Sequence, residues 1–109
     1  MNLDELTAEA YAVYLAKQML SKKMSFFEGA ARMAPLRHDI DGLEYTDEDF
    51  LVFVLISSET DHLPLKVHHH LWDVEALKAL DPDFKRVEEW AETFAVNACK
   101  NIIERFSEK

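Results

Sequence analysis

Only one cysteine, two glycines and three prolines occur among the 109 residues of this chain. Each scarcity removes a class of structure. A lone Cys99 closes no internal disulfide, which suits a reducing compartment. So few glycines and prolines cannot supply the many tight turns of an all-β protein. No apolar run approaches the roughly 20 residues of a membrane-spanning helix. The opening MNLDELTAEAY carries early acids and lacks the apolar segment of a signal peptide. Positive charge is scarce as well, with 12 Lys and Arg against 21 Asp and Glu and a net charge of −9. Such a field repels nucleic acid and anionic lipid and attracts basic partners. The expectation is a soluble, cytoplasmic protein with neither nucleic acid nor membrane as partner.

What is present fills a single core. Hydrophobic residues make up 49% of the chain, which argues against disorder and for one domain over residues 1–109. The strongest feature is Thr46 to His62, TDEDFLVFVLISSETDH, where seven apolar residues from Phe50 to Ile56 lie between acidic clusters. Residues 46–61 hold Asp47, Glu48, Asp49, Glu59 and Asp61 with no Lys or Arg, more than half of the net charge. Periodicity alone does not separate a strand from a buried helix here. No second strand is evident, however, and an unpaired buried strand would orphan its backbone polar groups. A buried central helix is expected, with Thr46 as cap, Asp49 completing a capping box and Tyr45 stapled onto Phe50.

The flanking segments also read as helices. Asn2 with Glu5 forms a capping box for a first helix, striped by Leu3, Leu6, Ala10, Val13 and Leu20 and ending at Lys22 and Lys23. Tyr11 and Tyr14 lie beside that stripe. Ser25 with Glu28 opens a second helix, in which Gly29 suits a close helix crossing and Pro35 forces an end or kink. Asp73 caps a short helix, Val74 to Leu80, and Asp81-Pro82 starts a last one running to Phe106. That last helix is striped by Phe84, Val87, Ala91, Phe94, Ala98, Ile102 and Phe106. The fold class is all-α, an irregular bundle of four to five helices.

The chemistry begins with a conflict. Glu59 and Asp61 fall at the C-terminal end of the third helix, where carboxylates oppose the helix dipole by about 0.3–1 kcal/mol each. Arg32, Arg37 and His38 are the internal candidates to offset them, with Arg37 expected to pair with Glu59 or Asp61. Leu36-Arg37-His38 followed by Ser58-Glu59-Thr60-Asp61-His62-Leu63-Pro64 resembles a group of small, uncharacterised bacterial proteins. The likeness extends from Phe26-Phe27-Glu28-Gly29-Ala30 to the last helix. It implies a bacterial origin and a special role for this corner, and it implies no reaction.

Three functional readings follow. The first is a non-enzymatic interaction module whose acidic surface, including Asp47, Glu48, Glu59 and Asp61 with Arg37, His38 and His62 nearby, binds a basic protein partner. By analogy alone, small acidic helical proteins of bacteria serve as immunity or antitoxin factors. The second is a metal-binding protein, because Glu59 and His62 stand in Glu-x-x-His spacing and Asp61, His38 or the run His68 to His70 offers further ligands. One such motif is short of the two that a di-iron bundle uses. The third is a helical homodimer built on the last helix. Cys99 lies beside an apolar stripe and reads as a core residue rather than a nucleophile. No phosphate loop, dinucleotide fingerprint or nucleophile elbow is present. Neither a cofactor nor a catalytic residue is therefore assigned.

Overall fold

The computed structural model describes residues 7–107. Among these residues there are four α-helices and no strand: α1 Ala8–Leu20, α2 Phe26–Met33, α3 Glu48–Glu59 and α4 Val74–Phe106. Two 3-10 segments, Ala34–His38 and Lys66–Leu71, join them. The expected all-α bundle is the observed one, and Phe50 to Ile56 is helical. At 33 residues and 1.5 Å per residue, α4 is about 50 Å long. It therefore runs the full 47 Å of the longest dimension. α1 packs chiefly on α4, while α3 lies against both α2 and α4.

The buried face of α4 is made of small residues: Ala91, Ala95, Ala98 and Cys99, with Ile102 beyond them. Small side chains there leave room for large ones from the facing helices. Leu15 and Met19 of α1 and Phe50, Phe53 and Ile56 of α3 are all almost completely buried in the same cluster. Phe94, expected in the stripe, is instead 43% exposed. Ala91, Ala98 and Ile102 of the expected stripe are buried, while Ala95 and Cys99 beside it complete the buried face in place of Phe94.

Several boundaries differ from expectation, each for a local reason. Thr7 caps α1, its side chain accepting from Ala10 N at 3.1 Å; Asn2, Leu3, Glu5 and Leu6 lie outside the described residues. The buried face of α1 is Ala12, Leu15, Ala16 and Met19, and Val13 is only half-buried. Apolar residues occur all round this helix, so its own period does not single out the core side. Lys22 and Lys23 fall past its end. Lys22 N donates to Met19 O and Lys23 N to Gln18 O, a Schellman arrangement with Lys22 in the left-handed region at φ 63°. Glycine is usual there. Here the lysine side chain meets Glu92 at 3.2 Å and covers the Phe26 ring at 4.8 Å, tying α1 to α4 and α2.

α2 begins as expected, with Ser25 Oγ accepting from Glu28 N at 3.0 Å. Pro35 ends it by tightening the chain into the first 3-10 segment. The break expected at Asp81-Pro82 is absent, because α4 runs through Pro82. Pro82 and Lys78 are both exposed, so water can reach the Lys78 carbonyl that Pro82 leaves without a helical donor.

Gly29 marks the crossing of α1 and α2. A Cβ placed there would lie 2.6 Å from Met19 Cγ and nearer still to its sulfur. Met19 is fully buried, so it has nowhere to swing. Gly29→Ala would gain about 1 kcal/mol of helix propensity, against about 1–3 kcal/mol for overpacking. The expected net result is a loss of stability in urea unfolding. In a Met19→Ala background the same change should stabilise. Equal effects in both backgrounds would remove the steric explanation.

Candidate functional site

α3 carries distinct groups at its two ends. At its start Asp47, and not Thr46, is the cap: Asp47 Oδ1 accepts from Asp49 N at 3.1 Å and from Phe50 N at 3.4 Å. Arg105 near the end of α4 holds it there. Arg105 Nη1 and Nη2 donate to Asp47 Oδ1 and Oδ2 at 3.0 and 2.7 Å, and Nη1 also reaches Asp49 Oδ2 at 2.8 Å. Asn101 Nδ2 completes the group on Asp49 Oδ1 at 3.0 Å. The paired forks of guanidinium and carboxylate give this contact direction as well as strength. With the cap at Asp47, Tyr45 falls one position too early to staple onto Phe50.

These groups line an open polar hollow of about 740 Å³ with Glu44, Glu48 and Glu104 around it. Five carboxylates thus face one guanidinium. The hydrogen-bonded Arg105 holds the Asp47 carboxyl below its ordinary value of 3.8, and the same contact raises Arg105. Arg105 and Asn101 were absent from the expected site. Each lies more than 50 residues from Asp49 along the chain, which hides the pairing from any local pattern.

Among the described residues, no Lys or Arg pairs with the acids at the other end of α3. Thr60, only 2% exposed, donates its hydroxyl to Ile56 O at 2.6 Å. It thereby satisfies one of the carbonyls that the helix end leaves open. Glu59, Asp61 and His62 point to solvent, where water weakens the dipole's effect on the two carboxylates. Arg37 is not paired with either acid. Its Nη2 donates to Tyr45 Oη at 2.9 Å, its guanidinium lies 4.4 Å from the Tyr45 ring, and the His38 ring lies 5.4 Å away on the same tyrosine. Thr60, and not Arg37, meets the end of α3. The residues singled out in the sequence therefore occupy three places: Arg37 with His38, Asp47 with Glu48, and Glu59 with Asp61 and His62.

α3 ends at Glu59 and Thr60 caps it, so Glu59 and His62 do not share a helical face as their spacing suggested. Among the described residues no three His, Cys, Asp or Glu side chains come together as metal ligands. Cys99 is fully buried, and burial pushes its thiol up to about 12, far from a reactive thiolate.

The outer face of α3 is the second notable surface. Leu51 and Leu55 are 39% and 45% exposed, one turn apart, with Glu48 before them and Glu59 after them on the same side. The helix expected to be the buried central element is buried on one side only. On α4, Trp90, Phe94, Asn101 and Arg105 recur at helical spacing, and the last two contact α3. The Trp90–Phe94 pair, 5.6 Å apart and edge to face, therefore borders α3.

Comparison with family models, curated proteins and solved structures finds no match to this chain.

Arg105→Ala should cost about 1–2 kcal/mol near neutral pH, after discounting for its partial exposure. Because folding depresses the Asp47 pKa, the stability it contributes is full above 3.8 and is lost as pH falls through the folded value. The stability gap between wild type and Arg105→Ala should therefore narrow below about pH 4. Urea midpoints measured from pH 7 to pH 2.5 check this, and a gap independent of pH would exclude the ion pair as its source.

Proposed function

We propose that this chain is a non-enzymatic interaction module whose α3 surface binds a basic protein partner. The observation that carries the proposal is the pattern on the outer face of α3: exposed Leu51 and Leu55 between acidic ends. Glu44, Glu48 and Glu104 crowd one end and Glu59 and Asp61 the other. Among the described residues none of these five acids is in an ion pair with Lys or Arg. An amphipathic basic helix suits that pattern, with apolar side chains laid on the leucines and cations reaching the acids.

Asp47 and Asp49 serve the fold rather than the partner, since Arg105 and the start of α3 already hold them. The informative variants are therefore elsewhere. With a Leu- and Lys-containing amphipathic peptide as probe, the triple variant Glu44→Lys, Glu48→Lys, Glu104→Lys should associate roughly tenfold more slowly at low salt. Its salt dependence should also flatten. Leu51→Ala with Leu55→Ala should instead speed dissociation. An unchanged on-rate at every salt concentration, in a variant shown to be folded by circular dichroism, would reduce the acidity to a solubility device.

A second reading, the homodimer, is favoured by Leu71, Trp72 and Val74, which are 72%, 41% and 63% exposed at the start of α4. Sedimentation equilibrium should then show a dimer that Trp72→Ala with Val74→Ser dissociates. A monomer at all concentrations would dismiss it.

A further inference from the structure

We propose that the hollow between the start of α2 and the middle of α4 binds an alkylammonium group, an apolar body bearing one positive charge. The hollow holds about 320 Å³, within the usual range of small-ligand sites. Its walls are aromatic. The Phe27 and Phe84 rings are 5.7 Å apart and tilted by 57°, and the His69 ring lies 6.0 Å from Phe84. His69 Nε2 is 3.1 Å from Pro64 O; a carbonyl only accepts, so this nitrogen carries the proton and the ring is held in place.

The charges decide the sign of the ligand. Among the described residues, the carboxylates of Asp81 and Glu88 line the hollow beside Lys85. The start of α2 would ordinarily attract an anion. Here Glu88 already fills that role, accepting from Phe26 N at 2.6 Å through one oxygen and from Phe27 N at 3.2 Å through the other. An incoming anion would meet this carboxylate. An ammonium would meet it productively, because each Glu88 oxygen keeps a further lone pair. Phenyl faces next to carboxylates favour an organic cation with apolar carbon over a bare metal ion. The group can belong to a free amine or to the lysine side chain of a partner.

The test is an amide NMR titration of the whole protein with n-butylammonium and with its neutral counterpart, 1-butanol. The ammonium should shift the amides of Phe27, Phe84 and Lys85, and butanol should not. Asp81 and Lys85 are both exposed, so changing them leaves the fold alone. Asp81→Asn should weaken ammonium binding roughly threefold, and Lys85→Ala should tighten it by a similar factor. A doubly capped lysine separates the sources: binding as tight as that of butylammonium points to a partner's lysine, and failure to enter points to a free amine. Equal shifts with butanol would show a merely apolar hollow, and weaker ammonium binding by Lys85→Ala would show that the charges around the hollow do not select a cation. Either result overturns the proposal, and neither bears on the α3 surface.

Discussion

The close approach permitted by the small side chains of α4 is the constraint on which the other helices depend. Ala91, Ala95, Ala98 and Cys99 are all buried and contribute little volume of their own. The core is filled from the other side, by Leu15 and Met19 of α1 and by Phe50, Phe53 and Ile56 of α3. This division has a consequence for α3. Its phenylalanines point inward to reach a recessed wall, and that rotation turns Leu51 and Leu55 out. A larger face on α4 would hold α3 farther away. The exposed leucines thus follow from how the core is packed, and the α3 surface and the core are parts of one arrangement.

Electrostatics then fixes what packing leaves free. Two helix starts are held by carboxylates, in different ways. At α3 the cap is local, Asp47, and a distant arginine locks it. At α2 the local cap Ser25 serves Glu28 N, and the distant Glu88 takes the two preceding donors. In both cases α4 supplies the remote partner. It therefore orients two helices through polar contacts as well as apolar ones. The unpaired backbone donors at a helix start make such links directional, which nonpolar contact alone is not.

The legible parts of the fold were those set by near neighbours. Ser25 with Glu28, the stop at Pro35 and the cap at Asp73 are all contacts within a few residues, and all occur. The helical state of Phe50 to Ile56 followed from the lack of a strand partner. What failed depended on distant residues. Thr46 and Asp47 are both good caps, and Arg105 decides between them in favour of the carboxylate. The core side of α1 is chosen by the helices it meets, since α1 alone offers more than one apolar face, and on α4 Phe94 yields its expected place to Ala95. Continuity through Pro82 depends on solvent exposure, which the dipeptide does not encode. The Arg37 pairing failed because Glu59 and Asp61 stay in water, while Arg37 is taken up by Tyr45.

The site residues divide by the same logic. Asp47 and Asp49 owe their position to Arg105, and a partner competing for them would have to break a bidentate contact whose carboxylates are mostly buried. Glu44, Glu48, Glu59 and Glu104 have no such commitment and face water. A carboxylate in water contributes attraction at a distance with little desolvation until contact is made. Acids of that kind suit the steering of a partner toward a surface. Under the proposed function, Leu51 and Leu55 would supply what steering lacks, apolar area whose removal from water holds a partner after arrival. One face of α3 thus sets exposed acids at its ends and exposed leucines between them, the arrangement the proposed function uses, while the carboxylates that the fold needs stand apart under Arg105.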